Sequence, residues 1–238
     1  MFEQLALLSF GESGWGLALL SGAAVTLILA SCCAPIGLSL GLLLATASRS
    51  KNSSLRAFTY CFSTVFRGLP ELLTLFIVYY GVQIGAQRIL ALSGWQVKFE
   101  LSPFVAAVVA LSLVLSAFAC EVWLAAFKVI GKGQYEAARA LGLSRSRTFF
   151  SVILPQLLRI ALPGLSNNWL TLLKDTSLVS TISLVDLMRQ TGLAVSASKE
   201  PILFYSAACV IYLSIAALSE QVFAWAERRY SRGHGSTR

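Results

Sequence analysis

The chain has 238 residues, 56% of them hydrophobic and only 13% charged, with a mean hydropathy of +0.72 and a formal net charge of +8. Soluble domains carry about 25% charged residues, so this chain has too little charge to cover a water-facing surface. Several runs of about 20 apolar residues are each long enough to cross ~30 Å of hydrocarbon as a helix, and the expected class is an all-α polytopic membrane protein.

The opening residues, MFEQLALLSFGES, hold Glu3 and Glu12 and no base. A secretory signal has a basic start and a cleavage site, so this end reads as mature sequence. Five spans are expected within a single transmembrane domain covering 1–238. The first, about Leu17–Ala47, is one long helix with Pro35 as a candidate kink. The second covers about Leu55–Val82 and contains Arg67 and Glu71. The third is about Pro103–Phe127, with Glu121 inside it. The fourth, about Gln156–Leu178, is the weakest by hydropathy and carries Arg159, Asn167, Asn168, Lys174 and Asp175. The fifth is about Ile202–Ala224.

Loop bases set the expected orientation. The N-terminal segment has none, whereas the next loop has Arg49, Lys51 and Arg56. Residues 83–102 have Arg88 and Lys98, and the loop 128–155 has Lys128, Lys132, Arg139, Arg145 and Arg147. Residues 180–201 have Arg189 and Lys199, and the tail after Trp225 has Arg228, Arg229, Arg232 and Arg238. Low and high counts alternate, which puts the N-terminus outside and the C-terminus and the 128–155 loop in the cytoplasm. Topology therefore accounts for most of the positive charge, and no nucleic-acid partner is expected.

The loop contains QYEAARALGLSRSRTFFSVILPQ, residues 134–156. Tyr135, Ala138 and Leu141 fall on one helical face. Gly142 stands where a C′ glycine would end that helix. Ser144 can cap a second short helix reaching Leu154, and Pro155 suits the start of the fourth span. The product is a helix–glycine–helix elbow. It either lies on anionic lipid through Arg139, Arg145 and Arg147 or docks in a partner's cleft, with the small Ala137 and Ala138 allowing close approach.

Charges at bilayer depth face the bundle interior or water and find partners. Arg67 and Glu71, at i and i+4, are expected either to pair on one helix or, with Gly68 and Pro70 between them, to mark a gate. Glu121 either pairs with Lys174 or Arg67 or recognises a cationic side chain. Asn167 and Asn168 offer amide groups, and the adjacent Lys174 and Asp175 point to different neighbours. The five cysteines lie in apolar runs without metal-ligand spacing and read as small hydrophobes, while His234, the single histidine, sits in the polar tail. No nucleophile–histidine or metal constellation suggests an enzyme.

The stretch resembles the EAA loop of ATP-binding-cassette importer permeases: E-A-A, three residues, G, nine residues, I, one residue, L-P. Its positions are Glu136, Ala137, Ala138, Gly142, Val152, Leu154 and Pro155, Val152 being the one conservative departure. FRGLPELLTLFIVYYG is similar to the second-span signature of polar amino-acid permeases. ALPGLSNNWLTLLKDTSLVSTISLVDLM and ERRYSRG are similar to the Q-type subunit of histidine, arginine and opine uptake systems, and the likeness runs from about residue 15 to 232. Leu124 departs from the family's E-x-x-R pattern after Glu121. The resemblance implies a type I permease of the bacterial inner membrane that forms half of a translocation path, with Arg67, Glu71, Glu121, Asn167, Asn168, Lys174 and Asp175 as candidate path or gate residues.

The implied partners are a second permease (an M-type relative or an identical chain), two ABC ATPase subunits, a periplasmic or lipoprotein substrate-binding protein and an amino-acid substrate, basic or opine. The chain has no G-x-x-x-x-G-K-[ST] phosphate loop, so ATP and Mg are expected on the separate ATPase, docked through Glu136, Ala137, Ala138, Gly142, Leu154 and Pro155, and no cofactor is expected on this chain. A self-sufficient secondary transporter or channel is the alternative, weakened by the lack of an inverted repeat.

Overall fold

A computed structural model of the chain describes residues 6–11, 14–93 and 99–231. Lys98, Arg232, His234 and Arg238 lie outside them, as do Glu3 and Glu12. The described residues fold into helices: α1 Gly16–Ser48, α2 Ser53–Gly68, α3 Glu71–Leu92, α4 Pro103–Val129, α5 Lys132–Ala140, α6 Arg145–Thr148, α7 Leu154–Asp175, α8 Leu187–Ser198 and α9 Pro201–Ser231. Five stretches are long and apolar enough to span a membrane: Gly16–Ser48, Glu71–Leu92, Pro103–Val129, Arg145–Ile182 and Pro201–Arg229.

Helices α1 and α4 form the centre of the bundle. Their facing positions are small: Ala30, Cys33, Gly37, Gly41 and Ala45 meet a helix rich in buried alanine and serine, with Gly37 against Leu115 and Gly41 against Ala119. Small residues let backbones approach in a membrane, where packing and interhelical hydrogen bonds replace the hydrophobic drive of water. Three such bonds join the pair. The Ser112 hydroxyl donates to the Cys33 carbonyl at 3.4 Å, the Cys33 thiol to the Val108 carbonyl at 3.8 Å, and the buried Trp123 indole to the Leu38 carbonyl at 3.1 Å. At one end of the seam the Arg49 guanidinium lies 4.2 Å from the centre of the Phe127 ring, so the ends of α1 and α4 coincide. Pro35 sits inside α1 without ending it.

The second expected span, 55–82, is not one helix. Pro70 disfavours helical geometry for the residue before it, and Leu69 is extended (φ −87°, ψ 142°). The chain breaks there into α2 and α3, and the apolar span is α3 alone. Arg67 closes α2 and Glu71 opens α3, so the i, i+4 pair expected of them does not exist on a common helix. In the first turn of α3, Glu71 instead complements the positive end of that helix.

The expected boundary between the elbow's second helix and the fourth span is also absent. α6 continues through a wide turn, Phe149–Ile153, directly into α7. The Leu154 N–H bonds to the Phe149 carbonyl, five residues back. A proline interrupts the regular i→i−4 ladder, and widening one turn before Pro155 keeps the helix continuous. Beyond α7 a tighter helical stretch, Thr176–Ile182, ends at Ser183 (φ 67°).

α8 was expected as loop. Asp186 caps it, its carboxylate accepting from the Arg189 N–H at 2.9 Å. α8 packs on α1 at Gly22, where a Cβ would stand 2.8 Å from the Asp186 carbonyl oxygen. Only glycine permits that approach. The Leu187 N–H also reaches the Thr26 hydroxyl at 3.4 Å.

Candidate functional site

The elbow is built as a rigid corner. α5 ends with Leu141 as its cap, followed by Gly142 at φ +73°. The Gly142 N–H bonds to the Arg139 carbonyl at 2.9 Å and the Leu143 N–H to the Ala138 carbonyl at 3.1 Å. That pair of bonds is the Schellman termination, which needs a left-handed residue at this position. Ser144 then accepts from the Arg147 N–H at 3.4 Å and starts α6. A Gln156–Gln134 side-chain bond of 3.2 Å ties α5 to the start of α7.

Glu136, Ala137, Gly142 and Pro155 are exposed, Leu141 is 80% exposed, and Leu154 is half-buried. Ala138 corrects the expectation of a two-alanine docking face. It is 3% exposed and faces inward, whereas Ala137 is exposed. Tyr135 is half-buried and belongs to the apolar cluster around Trp123 and Phe127.

The intramembrane charges form two groups beside α4. In the first, a cavity of about 150 Å³ between α4 and α7 is lined by Val114, Phe118, Asn167, Asn168, Thr171 and Asp175. The Asn168 amide nitrogen is buried there without a hydrogen-bond partner. Asp175 lies within electrostatic reach of Glu71 and Lys174, so Glu71 belongs with this group rather than with Arg67. Lys174 is exposed.

In the second, the Arg67 guanidinium pairs with the Glu121 carboxylate, bridging α2 and α4. Of the pairings open to Glu121, this structure makes the one with Arg67. A cavity of about 230 Å³ surrounds the pair. Leu124, in the position of the E-x-x-R arginine, lines the same cavity.

Residues 37–232 match the family described as binding-protein-dependent transport system inner membrane component. The chain belongs to this family. It is 39% identical over 230 residues to the nopaline transport system permease protein of Agrobacterium fabrum, covering 96% of this chain and 98% of that one. It is 38% identical to the arginine ABC transporter permease protein of Escherichia coli K12, covering 90% and 95% of the two chains. A crystal structure of an amino acid ABC transporter with histidines superposes with a TM-score of 0.75 at 29% identity, over 90% of this chain and 95% of that one. The methionine ABC transporter MetNI in an inward-facing conformation shares the fold (TM-score 0.68, 17% identity, over 90% of this chain and 96% of that one).

The permease is therefore a multi-pass inner-membrane component, and its family implies a partner ATPase and a substrate-binding protein. A self-sufficient transporter or channel is not favoured. Two features of this permease escaped the sequence reading. Trp123 locks α1 to α4 through an indole hydrogen bond that no local pattern announces. Asp186 is fully buried, and burial pushes its carboxyl up to about 6, against the lowering effect of the Arg189, Met188 and Asp186 N–H groups. An aspartate before LMRQTGLA is a helix-start signal that could have revealed α8.

Proposed function

We propose that the chain is one half of the translocation path of an importer for basic amino acids or opines, and that it receives the motion of a separate ATPase through the α5–Gly142–α6 elbow. The observation that carries the coupling role is the Schellman-locked corner with exposed Glu136, Ala137 and Leu141, rigidly continuous with α7. A membrane subunit without a phosphate loop takes force from outside itself, and a corner of fixed geometry can deliver it. Arg67, Glu121, Asn167, Asn168 and Asp175 are assigned to the path, with Glu71 and Lys174 at its flank. The relatives named for nopaline and arginine support the substrate class.

The complete importer on this reading has a second permease, either an M-type relative or an identical chain, two ATPases holding ATP and Mg, and a periplasmic or lipoprotein binding protein. The N-terminus is outside and the elbow and C-terminus cytoplasmic, supported by the alternation of loop bases. Reporter fusions after Ser144 and Ala197 should read cytoplasmic and external respectively. In proteoliposomes containing the whole complex, arginine or nopaline uptake should require ATP on the elbow side. Uptake that runs on an ion gradient without ATP would overturn the reading.

A further inference from the structure

We infer that the cavity around Arg67 and Glu121 is a second binding station on the path, built for a substrate that carries both a carboxylate and a cationic side chain. The inference rests on the proposed importer function. α4 borders both cavities, with Val114, Leu115 and Phe118 lining the Asn168 cavity and Cys120, Glu121 and Leu124 the ion-pair cavity. Phe118 and Glu121 are three residues apart, ~4.5 Å along the axis, so the two cavities lie at neighbouring levels of α4.

The chemistry of the second cavity is specific. Arg67 and Glu121 are 39% and 52% exposed at the side chain, so the pair is open to a solute rather than sealed. Hydroxyls of Ser48, Thr59, Tyr60, Ser63 and Thr64 surround it. Ser63 is 6% exposed, and its hydroxyl has no hydrogen-bond partner beyond the neighbouring Cys120 thiol. Leu124 adds no charge, leaving one cation and one anion among the lining residues.

Lone charges at bilayer depth are costly. When the station is empty, Arg67 and Glu121 neutralise each other. When a cationic amino acid enters, its carboxylate takes Arg67, its side-chain cation takes Glu121, and the hydroxyls receive the ammonium group. Arg67 and Glu121 thus each keep a counter-ion in both states. A neutral side chain offers Glu121 no cation at the side-chain end of the substrate.

The test uses the reconstituted complex with its own ATPase and binding protein, comparing ATP-driven uptake of arginine with uptake of citrulline, its uncharged isostere. The binding protein is the same throughout, so changes in the arginine:citrulline ratio arise in the membrane. Glu121→Gln should lower that ratio roughly tenfold or more, the scale of one charge-assisted hydrogen bond, whereas Arg67→Gln should reduce both substrates alike. The exchange Arg67→Glu with Glu121→Arg keeps an ion pair. A purely structural pair predicts that it restores both uptakes with the wild-type ratio, and that result, or an unchanged ratio in Glu121→Gln, overturns the station. Failure of the wild-type complex to transport any amino acid with ATP would refute the importer reading itself.

Discussion

Gly142→Val isolates the elbow's geometry from its surface. A Cβ at residue 142 would meet nothing within 4 Å, so neighbouring atoms add no steric penalty. What remains is the backbone, held at φ +73°. A residue with a Cβ in that region costs about 1–2 kcal/mol, with a β-branched one at the upper end. If the chain instead abandons the left-handed turn, it gives up the Gly142–Arg139 and Leu143–Ala138 bonds that end α5. Either way the equilibrium between correctly bent and unbent elbows shifts against the bent form by roughly tenfold, since ~1.4 kcal/mol is a factor of ten. The bundle core is untouched, so the variant should insert at wild-type levels. Copurification with the ATPase and ATP-driven uptake should fall together. Gly142→Asn supplies the control, because asparagine tolerates the left-handed region while adding a side chain. It should retain most of both activities. Full ATPase binding and uptake in Gly142→Val would show that coupling does not pass through this corner, and equal loss in Asn and Val would show that bulk rather than backbone geometry governs it.

Gly22→Ala would place a methyl 2.8 Å from the Asp186 carbonyl oxygen and 2.9 Å from the Leu187 Cα, backbone atoms that cannot swing away. Overpacking of this kind costs about 1–3 kcal/mol, and the purified complex should melt earlier; an unchanged melting curve would mean α8 is free to shift. Asp186 binds its proton more tightly in the folded state, near 6 against an ordinary 3.8, so it makes stability fall as pH rises between those values and leaves it lower above them. Asp186→Asn keeps the cap and removes the charge; melting curves from pH 4 to 7 should lose that fall and gain up to roughly 3 kcal/mol at neutral pH. A variant less stable than wild type at pH 7 would contradict this.

The elements legible in the sequence were those specified by local chemistry. α1 and α4 are uninterrupted apolar runs, and the elbow is written in Gly142 and Ser144, whose roles depend on immediate neighbours. The α2–α3 break was hidden because hydropathy averages over 55–82, although the Leu69–Pro70 pair carried the information. The partner of Glu121 was left open between two bases because no local pattern ties Glu121 to Arg67, 54 positions earlier; only the packing of α2 on α4 selects it. The inward turn of Ala138 is equally tertiary, since a nine-residue helix can present its small face to either side. Pro155 was read as a boundary, yet a widened turn absorbed it.

That widened turn bears on how force would travel. From Arg145 to Ile182 the backbone is one helical rod of 38 residues, ~57 Å long. On the proposed coupling, a push on its exposed end would reach Asn167, Asn168 and Asp175 through continuous helix that includes Pro163. The rod contains a widened segment, Phe149–Ile153, where five-residue spacing replaces four. Tightening that segment by a single residue would rotate everything beyond it by ~100° relative to the elbow, so its spacing sets the angular phase between the surface that is pushed and the cavity wall that moves.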